Sequence, residues 1–440
     1  MLKRLFLTFI IILILIAATT AIVAFGRGYR FDIGKKEVTS TGILAVASFP
    51  EGASIFINGR LTSATNNSIN IPPGRYDLKI VKEGYISWQK RIVVKGEIVT
   101  KVDVLLIPLS PSLRPLTILG VLSPVLSPSG NQLAYIIPFD ATVSSNVKTK
   151  AGIWVWNLKE GSLLPIGSGP KILARSAANL DLSHAQLLWS PDEKQLLALF
   201  FKDNLISTKT LTSAYRLDTS LSDQTPIASL DSLSSILADW QLLQNDKEKT
   251  IISSLPPSLS DALKENVANI LLSADENKIM YAATASATIP LIITPPLIGT
   301  NTTPEDRNIK PGNIYIYDIK EDKNFFIRNL PSTPSPKPSA FPSPSLSPIS
   351  SISPTQEIIS LLSQNSQPVQ WYPDSKHILM LENGTIYITE YDGQNKTTVY
   401  AGPLEDSYVF PWPGGGRILI LTSYNRAASQ YPNLYAVDIR

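Results

Sequence analysis

An uninterrupted apolar segment near the N-terminus constrains this chain more than any other feature. Residues 5–25 are 21 consecutive uncharged residues without Pro or Gly, and they directly follow Lys3 and Arg4. As a helix with a rise of about 1.5 Å per residue, they would extend roughly 31 Å, the thickness of the hydrocarbon core of a bilayer. The segment therefore predicts a transmembrane anchor at 5–25, a tail at 1–4 and a linker at 26–40.

The alternative interpretation of this segment is a cleaved signal peptide. The apolar region of such a peptide usually spans about 7–15 residues, which is shorter than the run found here. Small residues at 17–21 could nevertheless form a cleavage site. We expect an uncleaved, single-pass anchor with its N-terminus in the cytoplasm and the bulk of the chain outside the membrane. Long folded domains translocate largely regardless of flanking charges such as Arg27 and Arg30.

Composition excludes several classes of function. The net charge is only +3 over 440 residues, which gives no electrostatic case for binding nucleic acid. The chain has no Cys, so disulfides, thiolate nucleophiles, Cys-ligated metals and lipoprotein acylation are excluded. The two His, His184 and His377, have no accompanying signature. We therefore predict no cofactor, no metal site and no catalytic residue, and the sequence leaves the ligand-binding residues unknown.

Turn-rich and β-branched segments with 34 Pro predict an all-β protein behind the anchor. In residues 41–108, short apolar strands alternate with turn formers. Asn58-Gly59 is the strongest hairpin signal, because both positions tolerate positive φ. Tyr76, Leu78 and Ile80 alternate with polar or outward-facing residues, as in a half-buried strand.

The same 41–108 region resembles the PEGA domain family. The motif that names the family is present as Pro50-Glu51-Gly52-Ala53, and Ile55-Phe56-Ile57-Asn58-Gly59 follows it. Gly74-Arg75-Tyr76 and Lys82-Glu83-Gly84-Tyr85 also fit its pattern. The resemblance implies a small β-sandwich on an extracytoplasmic protein, with a role in contact with the envelope or with glycans. The motif residues are turn formers rather than reactive groups.

Residues 115–440 contain a second pattern, in which an apolar strand, a polar turn near a Pro and another apolar strand recur five times. The turns lie at 126–133, 189–196, 272–279, 371–378 and 411–418, and the aromatic-rich strands that follow lie at 153–157, 215–218, 314–318, 386–390 and 434–438. Units of this kind, 40 residues apart in the last two copies, predict the blades of a β-propeller. The Trp189-Ser190-Pro191-Asp192 turn resembles TolB-like and WD40-like repeats. Five blades are visible, and six or seven remain open.

Two insertions interrupt the repeats. Residues 233–268 have helical spacing at Ile236, Leu237, Trp240, Leu242 and Leu243, and Pro256-Pro257 predicts a second, amphipathic helix over 258–270. We expect these helices to cap the propeller, with a partner-binding helix as the alternative. Residues 331–356 contain eight Pro among many Ser and predict a disordered or extended loop.

Two functional hypotheses follow from this arrangement. The first is a non-catalytic envelope protein whose propeller binds a cell-surface glycan or an envelope protein. Six aromatic residues fall on the blade strands at period two: Trp154, Trp156, Tyr315, Tyr317, Tyr387 and Tyr435. About half of such a set packs between blades, and those that escape burial could stack on sugar rings or anchor a protein partner. The sequence does not tell which of them do. The alternative is an envelope hydrolase that acts on glycans through two carboxylates in the propeller channel. Asp192, Asp275 and Asp374 belong to the repeat turns, where we expect them to bind backbone N–H groups.

Overall fold

The computed structural model describes residues 2–26, 29–32, 37–139, 149–159, 169–177, 179–203, 209–330, 358, 362, 369–405, 408–424 and 430–439. The loop predicted at 331–356 lies outside these residues. The chain forms two units. One comprises residues 1–110 with 293–304, and the other comprises residues 111–292 with 305–440.

Helix α1 (Leu2–Gly26) contains the whole predicted apolar segment. Its residues 6–23 have a mean hydropathy of 2.9, and none of them is buried within the protein. The hydroxyls of Thr19 and Thr20 donate to the carbonyls of Leu15 and Ile16 at 2.8 Å, so the polar groups of this helix are satisfied internally. Length and composition suit the helix to cross a membrane, and a signal sequence at this position has the same properties.

A hairpin folds back part of the linker that follows α1. Strands β1 (Tyr29–Asp32) and β2 (Glu37–Ser40) are antiparallel, and Tyr29 lies opposite Ser40. The two ends of the hairpin are therefore neighbours in space.

The rest of the first unit is a small β-sandwich. Its strands are β3 (Gly42–Phe49), β4 (Ser54–Ile57), β5 (Arg60–Ala64), β6 (Asn67–Ile71), β7 (Gly74–Val81), β8 (Trp88–Val94) and β9 (Val99–Leu105). They form sheets of order β6-β3-β9 and β5-β4-β7-β8. Leu44, Ile55, Leu78 and Ile80 are at most 1% exposed and fill the core between the sheets. The predicted alternation in β7 places Leu78 and Ile80 inside.

Two local features support this sandwich. Asn58 and Gly59 have φ values of 50° and 79°, as the predicted two-residue hairpin requires. Residues 293–304 also belong to this unit, and the Thr302 hydroxyl donates to the Arg91 carbonyl at 3.1 Å.

The second unit contains five four-stranded antiparallel sheets, which are the blades of a propeller. Blade 1 comprises β11 (Leu122–Leu126), β12 (Gln132–Ile137), β13 (Gly152–Asn157) and β14 (Lys171–Arg175), and blade 2 comprises β15 (Gln186–Trp189), β16 (Gln195–Asp203), β17 (Lys209–Asp218) and β18 (Ile227–Ala228). Blade 3 comprises β19 (Val267–Leu272), β20 (Lys278–Ala283), β23 (Asn313–Asp318) and β24 (Lys323–Asn329), with the short pair β21 (Ala287–Thr288) and β22 (Asn308–Ile309) between β20 and β23. Blade 4 comprises β25 (Val369–Trp371), β26 (His377–Glu382), β27 (Thr385–Glu390) and β28 (Thr397–Tyr400), and blade 5 contains β29 (Val409–Pro411), β30 (Arg417–Thr422) and β31 (Asn433–Asp438).

The fourth strand of blade 5 comes from the start of the unit. Strand β10 (Leu113–Pro115) pairs antiparallel with β31, so that Leu113 lies opposite Val437. The Arg114 guanidinium holds both carboxylate oxygens of Asp438, at 2.7 and 2.6 Å. The two ends of the unit thus complete one blade together, which closes the ring.

Two helices lie between blades 2 and 3. Helix α2 (Leu233–Ser253) packs Leu233, Ile236, Leu237 and Trp240 against blade 2. Ile252, at its end, and Leu259 and Leu263, on α3 (Pro257–Lys264), pack against blade 3. Among the described residues the propeller therefore has five four-stranded blades, and the helices pack against blade 2 and blade 3. The sequence had left five to seven blades open.

The helices differ in detail from the sequence pattern. Helix α3 ends at Lys264 instead of continuing to Ile270, because β19 begins at Val267, which pairs with Ala283 of the next strand. Val267 and Ile270 are buried as strand residues, and their spacing imitates a helical stripe. Leu242 and Leu243 are 63% and 40% exposed, so they do not belong to the buried face of α2.

Candidate binding face

The first strand of each blade lies at the centre of the ring. Side chains on these strands reach the backbone of the adjacent first strand: Trp189 Nε1 donates to the Val125 carbonyl at 3.1 Å, and Trp371 Nε1 donates to the Leu271 carbonyl at 3.2 Å. Gln370 Nε2 donates to the Val409 carbonyl at 2.9 Å. These bonds connect blades 1 and 2, 3 and 4, and 4 and 5.

The five central strands contain no ionisable residue. Their sequences are LSPVL, QLLW, VANILL, VQW and VFP. A hydrolase that uses two carboxylates would have to take both from other strands or from loops. In the described part of the chain, no three His, Asp or Glu side chains are grouped as a metal site would require.

The repeat turns use their polar side chains to bind their own backbone. In blade 2, Ser190 Oγ donates to Asp192 Oδ1 at 2.6 Å and accepts the Gln195 N–H at 2.9 Å. In blade 3, Ser273 and Asp275 repeat this arrangement at 2.6 Å. Burial acts to raise the pKa of Asp275, but hydrogen bonds from Ser273 and Asn277 and the charge of Lys278 outweigh it and lower the pKa to about 2. The turn carboxylates are thus held as ionised acceptors.

His377 belongs to the same type of turn in blade 4. It is 7% exposed, and its Nδ1 lies 2.7 Å from Asp374 Oδ2. Burial acts to raise the pKa of Asp374, but the hydrogen bond and charge of His377, together with backbone hydrogen bonds, lower it. His184 lies in a 3₁₀ turn before blade 2. The structure does not bring the two His together.

The same turns also connect neighbouring blades. Ser129 Oγ donates to Glu193 Oε2 at 3.0 Å, the Asp275 N–H donates to Ser375 Oγ at 2.9 Å, and the Gly416 N–H donates to the Tyr372 hydroxyl at 2.6 Å. The turns between first and second strands therefore lie at one end of the ring, which we call the turn face. Because the strands are antiparallel, the connections between blades emerge at the opposite end, which we call the loop face.

The predicted aromatic residues divide into two groups. Tyr315 and Tyr317 are at most 1% exposed, and Tyr435 is 9% exposed. Trp154, Trp156 and Tyr387 are half-buried. Trp156 packs edge-on against Trp412 at 5.7 Å, and the Lys396 ammonium covers the Tyr387 ring at 4.3 Å.

Tyr400, Tyr424 and Tyr435 form a tyrosine cluster at the loop face, where blades 4 and 5 meet. Tyr400 ends β28, Tyr424 follows β30, and Tyr435 lies near the start of β31. The rings of Tyr424 and Tyr435 lie 6.5 Å apart at 67°. Burial raises the pKa of the Tyr400 hydroxyl, the neighbouring Thr422 hydroxyl opposes this shift, and Tyr424 adds to it. The rings of Tyr424 and Tyr435 are thus in contact, and the Tyr400 hydroxyl lies near Tyr424.

Tyr424 is the most exposed member of the cluster, at 67%. Its ring can stack on a flat apolar surface, and the hydroxyls of the cluster can form hydrogen bonds. Sequence reasoning selected Tyr435 but missed Tyr400 and Tyr424. No local signal distinguishes them, because their exposure depends on how blades 4 and 5 pack.

Comparison with known protein families supports the identity of the sandwich in the first unit. Residues 41–109 match the PEGA domain model. No curated protein matches the sequence. Together with the N-terminal apolar helix, the PEGA domain indicates an envelope-associated β-propeller protein.

Several solved structures have detectable similarity to this chain. They include a putative TolB from Agrobacterium tumefaciens (10% identity, 87% of this chain and 78% of that chain, TM-score 0.19) and the β-propeller domain of the Trilobed protease from Pyrococcus furiosus (12%, 91% and 96%, TM-score 0.20). The β-propeller domain of Cps50 (Swd1) from Myceliophteria thermophila has 10% identity over 73% of this chain and 98% of that chain, with a TM-score of 0.23. At such low identities and TM-scores, the propeller architecture rests on the strand pairing of this chain itself.

Proposed function

We propose that this chain is a non-catalytic, membrane-tethered binding protein. In this proposal α1 remains as a single-pass anchor with its N-terminus in the cytoplasm, and the PEGA domain and the propeller lie outside the membrane. The propeller binds a cell-surface polymer or an envelope protein through its loop face. The absence of ionisable residues from the five central strands supports binding over catalysis.

The tyrosine cluster is the observation that carries this proposal. A tyrosine ring that is 67% exposed contributes little to the fold, yet it presents a rigid apolar surface with a polar tip. Side chains of this kind dominate the free energy of binding at many interfaces, because they bury a large area and lose little conformational entropy. The cluster also lies at the face where the connections between blades emerge, away from the hydrogen-bonded turns.

Retention of the detergent-solubilised full-length chain on cell-wall fractions and on envelope extracts tests this proposal. We expect retention on at least one of the two, and a loss of about tenfold or more in affinity for Tyr424→Ala. Leu242→Ala is the control, since Leu242 is 63% exposed on α2, away from the cluster. The proposal is wrong if neither fraction retains the chain, or if both variants bind as the unaltered protein does.

The orientation has a separate test. Intact cells treated with external protease should lose the propeller, while a tag placed before Leu2 stays protected. A chain whose mature N-terminus begins after residue 17 would contradict the anchor.

A further inference from the structure

The β1–β2 hairpin limits how far the sandwich of the first unit can lie from the end of α1. From Gly26 to Gly42, an extended chain of 16 steps could reach about 58 Å. Tyr29 is paired with Ser40, however. The shortest route through the hairpin therefore runs three residues from Gly26 to Tyr29, crosses to Ser40 on the paired strand, and continues two residues to Gly42. This path is at most about 24 Å long.

The strand register shows which end of the sandwich is close to α1. Gly42 begins β3 and lies opposite Ile71, and Gly74 lies opposite Val94. Ile43 lies opposite Val99, and the Glu97 N–H donates to the Thr41 carbonyl at 3.1 Å. We call this end, formed by residues 71–75 and 94–101, the proximal end. Phe49, Ser54, Val81 and Leu105 mark the distal end.

Charge is distributed unequally between these two ends. The proximal end exposes Arg75, Lys95 and Lys101 against one acid, Glu97. The distal end has the acids Glu51, Glu83 and Asp103 against the bases Lys79 and Lys82. The PEGA sandwich, residues 41–109, contains 8 Lys or Arg and 5 Asp or Glu, so its net charge is +3.

The proximal end also exposes apolar surface. Val99, on β9, is 46% exposed beside Lys101. A surface that combines basic side chains with an exposed aliphatic one is suited to the interface between lipid headgroups and water. An uncharged or acidic proximal end would instead favour a sandwich that stays away from the membrane surface.

From these observations we infer that the proximal end of the PEGA sandwich docks on a bilayer surface that contains anionic phospholipids. The inference rests on the proposed function in one respect, namely that α1 remains in the membrane. The hairpin keeps Arg75, Lys95 and Lys101 within a short distance of the headgroups, and the acidic distal end is directed away from them. Each basic residue near an anionic surface raises the population of the membrane-docked state relative to the undocked state by roughly fivefold. This attraction decays within a Debye length of about 10 Å.

The absence of Cys from the chain allows a direct test with one reporter per molecule. Val99→Cys places a fluorophore at the proximal end, and Phe49→Cys places one at the distal end of the adjacent paired strand. Both positions are 46% exposed. The full-length chain is reconstituted in vesicles of phosphatidylcholine, with or without 30% phosphatidylglycerol, that carry a headgroup quencher.

We expect the label at position 99 to be quenched at least twofold more in the anionic vesicles, and the label at position 49 to be quenched equally in both. Salt at 0.5 M should remove the difference. The triple variant R75S/K95S/K101S should abolish it. R60S/K79S/K82S, which also removes one Arg and two Lys from the same sandwich, should retain it.

Three outcomes would overturn the inference. Quenching at position 99 that does not depend on lipid charge, or that responds equally to both triple variants, excludes docking through the proximal end. A response that appears only when a soluble polyanion is added would identify a polymer as the ligand instead of the bilayer. A chain that does not float with neutral vesicles lacks the anchor itself, and this outcome refutes the proposed anchoring and with it the present inference.

Discussion

Blade 1 meets blade 2 sheet against sheet, whereas blade 2 and blade 3 are separated by helices. At the first junction, apolar faces of the two sheets pack directly, and Trp189 bonds across to Val125. At the second, Trp240 of α2 packs on blade 2, and Leu259 of α3 packs on blade 3. Both junctions bury large apolar side chains to below 10% exposure. A blade thus requires an apolar neighbour of suitable thickness, and two helices can provide it as well as a sheet can.

The largest expected effect tests whether the helices really replace a blade. Trp240→Ala should lower the free energy of unfolding by about 3–5 kcal/mol, because it removes a large buried side chain and leaves a cavity. Trp189→Ala at the junction of blades 1 and 2 should cost a similar amount, plus the loss of one hydrogen bond. Urea unfolding of both variants provides the comparison.

A small effect at only one site would contradict this equivalence. If Trp240→Ala costs below about 1 kcal/mol while Trp189→Ala costs several, the helices are a peripheral cap and the ring does not depend on them. That result would restore the simpler expectation from the sequence, in which the helical insertion lies outside the structural ring.

An effect of intermediate size is expected in the repeat turns of blade 2 and blade 3, which lie before and after the helices in the chain. Ser190 is 0% exposed and Ser273 is 2% exposed, and each hydroxyl bonds an Asp and a backbone N–H of its turn. Replacing either Ser with Ala should cost about 1–2 kcal/mol, since buried polar groups lose their partners. Thermal unfolding midpoints should fall by similar amounts in both variants. A much larger fall for Ser273→Ala would show that blade 3 depends more on its turn than blade 2 does.

The smallest effect is a pH dependence of the Ser273–Asp275 turn in blade 3. The folded-state pKa of Asp275 is lowered to about 2 from its ordinary value of 3.8. Its ionised form therefore stabilises the fold fully above pH 3.8, and this contribution is lost as the pH falls towards 2. Because the side chain is 44% exposed, solvent screening limits the contribution to about 1 kcal/mol or less.

Asp275→Asn should therefore be less stable than the unaltered chain at pH 6, and the difference should shrink at pH 3. Urea midpoints at both values measure this difference, and Glu276→Gln in the same turn is the control. A difference that stays constant between pH 6 and 3 would show that Asp275 acts through its shape and not through its charge.

The features that the sequence predicted are those set by local chemistry. Asn58-Gly59 determines its own turn, and the Ser-x-Asp turns form their own hydrogen bonds, so both could be recognised from neighbouring residues. The number of blades could not be predicted, because the repeat turns are unevenly spaced and α2 and α3 interrupt the pattern between blades 2 and 3. The end of α3 was missed because Val267 and Ile270 are three residues apart, as on one face of a helix, and β19 buries both only through a bulge between Ala268 and Leu271.

The candidate binding face was predicted only in part. Its aromatic character follows from the strands, and Tyr435 was among the expected residues. Tyr315 and Tyr317, in contrast, are buried under α3 and the segment between β20 and β23, which no periodicity could indicate. Tyr435 is also buried, at 9% exposure, and the exposed ring of the cluster is that of Tyr424, which follows β30 outside the predicted pattern.

The closing strand β10 has a mechanical consequence. It begins three residues after Ser110, and only three residue pairs join it to β31, with the Arg114–Asp438 ion pair beside them. If the anchor were held in a membrane and the propeller were held by its ligand, tension would enter the second unit at this strand and also at blade 3, through residues 293–304 of the first unit. A strand of three residues loaded in this way can detach before the longer strands of the blades do.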